Sequence, residues 1–120
     1  MLYQNTTGIA FGGGICIIEG VINIPTLSSA AQRYWQHWGF GDNTTNGACV
    51  DGIYFDYTDS ISANWRCRAV ANSVDSTFAT TAAVATGKTV LRIEVETYLA
   101  RFYINGTLVH TLQSATVPNG

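Results

Sequence analysis

Apolar and polar residues alternate with a period of two along most of this chain, and no segment carries the 3.6-residue period of an amphipathic helix. In ICIIEGVINI (15–24), Ile18, Ile22 and Ile24 fall on one face and Glu19, Val21 and Asn23 on the other, and Pro25 ends the run. RYWQHWGF (33–40) predicts a second strand, closed by the turn-rich loop GDNTTNG (41–47). DGIYFDYT (51–58) sets Ile53, Phe55 and Tyr57 against Tyr54 and Asp56, and NWRCRAVA (64–71) sets Trp65, Cys67 and Ala69 against Arg66 and Arg68. STFATT (76–81) reads as a short edge strand. Ala30–Arg33 has room for one turn only, and Thr80–Ala85 is too rich in Thr and Val for helix.

The most legible stretch is LRIEVETYLARFYINGTLVHTL (91–112). Leu91, Ile93 and Val95 share a face opposite Arg92, Glu94 and Glu96; after a short turn, Phe102 and Ile104 oppose Arg101 and Tyr103. Asn105-Gly106 then predicts a type I′ hairpin turn, because both central residues must take positive φ. About eight short strands, each with one apolar and one polar face, predict two antiparallel sheets packed face to face. With no internal repeat, linker or low-complexity tail, residues 1–120 read as one β-sandwich domain.

Composition adjusts this picture in one respect. Apolar residues make up an ordinary 47%, but charged residues only 12%, about half the usual share. So little charge suits a protein that is packed against copies or partners. The net charge of -2 and the lack of any Lys or Arg run argue against nucleic acid or an anionic membrane surface as partner. No apolar run approaches the ~18 residues of a membrane-spanning helix. Cys16, Cys49 and Cys67 cannot all pair within one chain and lack CxxC spacing, so free thiols in a reducing compartment are expected rather than disulfides or zinc. The first twenty residues have neither a basic start nor a small-residue cleavage site, so no signal peptide is expected, and the N-x-T triplets at Asn5, Asn43 and Asn105 carry no weight as glycosylation sites.

The order of motifs resembles a known family. An apolar strand ends in IPTL, an aromatic strand closes on GFGD, and GIYFDYT is followed by the Trp-led NWRCRAVA; then come LRIEV, RFYINGTLVHTL and a final VP. Over roughly residues 15–118 this resembles the concanavalin A-like lectin/glucanase jelly-roll domains of tailed-phage virion proteins. The resemblance implies an all-β, two-sheet antiparallel jelly-roll β-sandwich. It also implies a further strand after the last Pro, where only Asn119 and Gly120 follow. The N-terminal residues or a neighbouring subunit would then supply that edge, or the chain is a fragment.

Candidate chemistry is sparse. Glu94 and Glu96 share a strand face, as glucanase acids do, but the three-acid ladder of such enzymes is incomplete. Pairing with Arg66, Arg68, Arg92 or Arg101 accounts for them better, and no enzyme activity is expected. His110 alternates with Leu108 and Leu112 as a structural strand residue. GDNTTNG and DSISAN hold hard oxygen ligands without EF-hand spacing, so neither a metal nor another cofactor is expected. Sugar binding has better candidates, because pyranose rings stack on aromatics while Asp and Asn bond hydroxyls. Tyr34, Trp35, Asp42 and Asn43 (with Trp38 and Asn46 nearby) form one group; Tyr54, Asp56 and Tyr103, with Arg66, Arg68 and Glu94, form a second if strand order brings them onto one face. Trp65 and Phe40 are expected in the core, whereas Trp35 suits either a sugar or a subunit interface.

The expected role is therefore that of a non-enzymatic virion protein made in the host cytoplasm, a capsid decoration or small tail or fibre component. It would act as a homo-oligomer through contacts with other virion proteins. The alternative is a lectin-like module that adheres to glycans.

Overall fold

The computed structural model describes residues 14–42, 49–113 and 117. They form eight strands: β1 (Cys16–Ile24), β2 (Gln36–Gly41), β3 (Gly52–Thr58), β4 (Ser62–Ala71), β5 (Val74–Ala83), β6 (Gly87–Glu96), β7 (Leu99–Ile104) and β8 (Thr107–Gln113). Two antiparallel four-stranded sheets, ordered β1-β6-β7-β8 and β2-β3-β4-β5, pack as a sandwich. β2 to β5 run as an uninterrupted meander; β1 and β6 to β8 form a second meander, with the other sheet inserted in the connection between β1 and β6.

The core lies where the inward faces meet. Ile53, Phe55, Trp65, Cys67 and Ala69 from one sheet pack on Leu91, Ile93, Val95, Ala100 and Phe102 from the other. Phe55 is the hub, edge-on to Phe102 at 5.3 Å between ring centroids and to Trp65 at 6.0 Å. Trp65 and Phe40 are buried as expected, and Val117 reaches the same core. Burial pushes the Cys67 thiol well above its ordinary range, which leaves it inert as a nucleophile.

Both open sides of the sandwich are closed by rings. Along one, the Trp38 indole of β2 packs over Gly20 of β1, where an added Cβ would come within 3.1 Å of the ring. Along the other, Phe78 of β5 stacks on His110 of β8 at 3.9 Å, nearly parallel. Gly39 is required by its backbone: φ is 145°, and a Cβ there would sit 2.4 Å from the Ile53 carbonyl oxygen.

Most strand limits match the alternation in sequence, with three differences, the first that β6 begins at Gly87, four residues before the stretch read from Leu91. β2 begins at Gln36 rather than Arg33, because residues 25–35 form a loop tied elsewhere. β5 is an edge strand, as expected, but runs ten residues, Val74–Ala83, instead of six. Its hairpin from β4 turns on Asn72 and Ser73, both at positive φ (50° and 64°). Asn105 and Gly106 take φ of 49° and 80°, the type I′ turn that their identities predict. The closing strand anticipated after Pro118 and the N-terminal segment through Gly13 lie outside the described residues.

Candidate functional site

Polar side chains gather in three places: the outer face of each sheet and a groove between the first strands. On the β2–β5 sheet, Asp56 is buried completely although it points away from the core. It accepts a bidentate pair from Arg66 (2.6 and 2.5 Å) and a further bond from Arg68 (3.2 Å). Arg68 also bonds Asp75 and lies over the Tyr54 ring, 5.4 Å from its centroid. Burial works against the Arg68 charge, but Asp75 and Asp56 more than offset it and hold its pKa above the ordinary value. Tyr54, equally buried, contacts the His37 ring at 5.2 Å. Burial lowers the His37 pKa, with Asp56 opposing, and raises that of Tyr54. Among the described residues, His37 Nε2, the Tyr54 hydroxyl, the Thr58 hydroxyl and Arg68 Nε have no hydrogen-bond partner.

The outer face of the β1-β6-β7-β8 sheet is partly open to solvent. Antiparallel register sets Glu19 opposite Arg92, and Glu94 opposite Arg101. Glu94 accepts from Arg92 at 2.6 and 3.0 Å and from the Tyr103 hydroxyl at 3.3 Å, with Arg101 3.6 Å away. Arg101 bonds Glu96 at 3.1 Å. The acids of this face are thus committed to Arg92 and Arg101; Arg66 and Arg68, also named as partners from sequence, belong to Asp56 on the opposite sheet. Beside the ladder, Ile17 and Val21 of the edge strand β1 project into solvent, half or more exposed.

The third place lies where β1 ends and β2 begins. Pro25 stops β1, and the following loop is pinned to the β3–β4 turn: the Ser28 hydroxyl donates to Asp59 (2.6 Å), and Arg33 bonds both Asp59 oxygens (3.1 and 3.2 Å). These donors hold the Asp59 carboxyl below the usual carboxylate range. Ser28 also accepts the Tyr34 backbone N–H at 3.0 Å, and the Tyr34 hydroxyl donates to the Thr26 carbonyl at 2.7 Å. The resulting groove, about 240 Å³, is lined by Asn23, Gln32, Tyr34 and Gln36 among others.

The residues expected to bind sugar are therefore dispersed. Tyr34 lines the groove, edge-on to Tyr57. Trp35 is half-buried against His37 at 6.1 Å, on the other side of the β2 backbone. Asp42 closes its own loop by accepting the Val50 and Asp51 backbone N–H groups at 3.0 and 3.2 Å, the turn chemistry of an Asp side chain. Asn43 and Asn46 lie outside the described residues. Tyr54 and Asp56 do not share a face with Tyr103 and Glu94; strand order puts the two sets on opposite outer surfaces of the sandwich. Asn23, Gln32 and Gln36 were not singled out in the sequence; their one signal there is a cluster of carboxamides on both sides of the Pro25 break. Among the described residues, no group of three or more His, Cys, Asp or Glu is arranged to hold a metal ion. Comparison with known protein families, curated proteins and solved structures finds no match.

Proposed function

We propose that this protein is a non-enzymatic structural component that works by packing against copies of itself. The setting we propose is a phage particle, a reading supported by the motif resemblance to concanavalin A-like virion domains. The observation that carries the reading is the solvent-facing side of β1, an edge strand among the described residues, where Ile17 and Val21, with Ile15 just before the strand, are each at least half exposed. Apolar rows on open sheet edges invite pairing, and soluble monomers blunt them with charge. The neighbouring ladder of Glu19, Arg92, Glu94, Arg101 and Glu96 carries both signs and is paired within the chain, so it opposes the approach of a second copy little. Sedimentation velocity across a concentration series tests this. The wild type is expected to associate reversibly, and Ile17→Lys and Val21→Lys to shift it to monomer with unchanged thermal stability. A wild type that stays monomeric at every concentration counts against the reading. Capsid, portal or terminase genes beside this one support the particle setting, and a neighbourhood without them counts against it.

A second reading, adhesion to glycans, is favoured by one observation: the groove beside Tyr34 is lined by neutral hydrogen-bonding side chains around an aromatic ring.

A further inference from the structure

The groove between β1 and β2 has a composition unlike either sheet face. Both outer faces are dominated by Arg–carboxylate pairs, whereas none of the described residues that line the groove is charged. Three carboxamides, Asn23, Gln32 and Gln36, surround it instead. Each carries two donors and an acceptor, which matches hydroxyls that donate and accept at once. Gln36 donates to the His37 carbonyl at 3.3 Å; among the described residues, the Asn23 and Gln32 carboxamides have no hydrogen-bond partner. Tyr34 supplies apolar ring surface, and its hydroxyl is already used by the Thr26 carbonyl, which fixes the ring.

The wall is rigid for a loop. Ser29 and Gln32 exchange backbone hydrogen bonds at 3.2 and 3.1 Å, and Asp59 ties Ser28 and Arg33 to the β3–β4 turn. A ligand entering there orders little that is not already ordered. At about 240 Å³ the groove falls below the roughly 300–1,000 Å³ of drug-sized pockets, so it suits one ring rather than an enclosed chain.

We propose that this groove binds a single ring of a neutral saccharide, with Asn23, Gln32 and Gln36 bonding its hydroxyls and Tyr34 packing on its C–H surface. The proposal rests on the glycan reading and gives that reading a site away from the positions expected in sequence, Tyr34 excepted.

The test is a titration followed by ¹H–¹⁵N NMR, using the methyl glycosides of glucose, galactose, mannose and N-acetylglucosamine, with glucuronic acid as the charged control. Saturable shifts centred on Asn23, Gln32 and Gln36 are expected for at least one neutral sugar and not for the uronic acid. Asn23→Ala and Gln32→Ala, both on the surface, are expected to keep the wild-type melting temperature and weaken binding about tenfold each. Undiminished binding in both variants overturns the groove assignment and leaves glycan adhesion at another site. A preference for glucuronic acid overturns the neutral-ligand claim. No saturable shift with any neutral sugar overturns the proposal together with the glycan reading.

Discussion

On the outer face of β3, Asp56 takes three hydrogen bonds from Arg66 and Arg68 with none of its surface in solvent; on the outer face of β6, Glu94 takes the same kind of contact from Arg92 and keeps 16% of its side chain exposed. The chemical pattern is shared, a carboxylate held by arginines on its own or the adjoining strand. The energetics are not. Arg92, still about a third in water, gives up little hydration for its partner, while fully buried Asp56 has lost its hydration and depends on the guanidinium groups. Side chains in the first ladder are part of the packed structure. Those in the second are paired to each other but only partly withdrawn from water.

That contrast can be broken most directly by removing the acids. Asp56→Ala leaves Arg66 and Arg68 mostly buried without their shared counter-charge, and is expected to cost about 3–5 kcal/mol in urea denaturation. Glu94→Ala is expected to cost less, about 1–2 kcal/mol, because its partners Arg92 and Arg101, 36% and 31% exposed, regain water when it is removed. Equal losses would mean that the two faces are energetically alike. Next in size is the contact that joins the sheets at their far edges: Phe78→Ala, which deletes the stack on His110, is expected to cost about 1 kcal/mol. A loss no larger than that of a surface substitution would make the β5–β8 side an open seam.

The smallest expected effect concerns pH. Burial lowers the pKa of both His37 and His110 in the folded protein, below the 6.5 that an unfolded chain shows. As pH falls through 6.5 the unfolded chain takes up protons first, so stability present above that pH declines until the folded-state values are reached. His37→Asn is expected to flatten part of this decline in denaturation midpoints between pH 8 and pH 5. An unchanged slope would show that His37 is not held neutral behind the closed sheet.

Much of the architecture was legible because period-two alternation is a local property. Leu91, Ile93 and Val95 had to face one way and Arg92, Glu94 and Glu96 the other, and Asn105-Gly106 had to turn. The β4–β5 turn was less visible, since Ser73 gives no sign of the positive φ it adopts. The start of β2 was missed by three residues because Arg33 is drawn off to Asp59, a partner 26 residues away. For the candidate site, Tyr34 could be found from its chemistry, but the carboxamides beside it could not. Asn23, Gln32 and Gln36 converge only once β1 and β2 belong to different sheets.

By itself, the sequence determined that this chain forms strands, which residues of each strand share a face, and where the tightest hairpin turns, because these depend on neighbours two or three positions away. Strand order was decided by the tertiary structure alone. It separated Tyr54 and Asp56 from Tyr103 and Glu94 by the thickness of the sandwich, although alternation made all four look like one polar surface. It also decided that every residue of β3 is buried, Asp56 included, while the ladder on β6 is only partly covered. Alternation tells a residue which side it faces; only the packing of distant strands and loops tells that side whether it meets water.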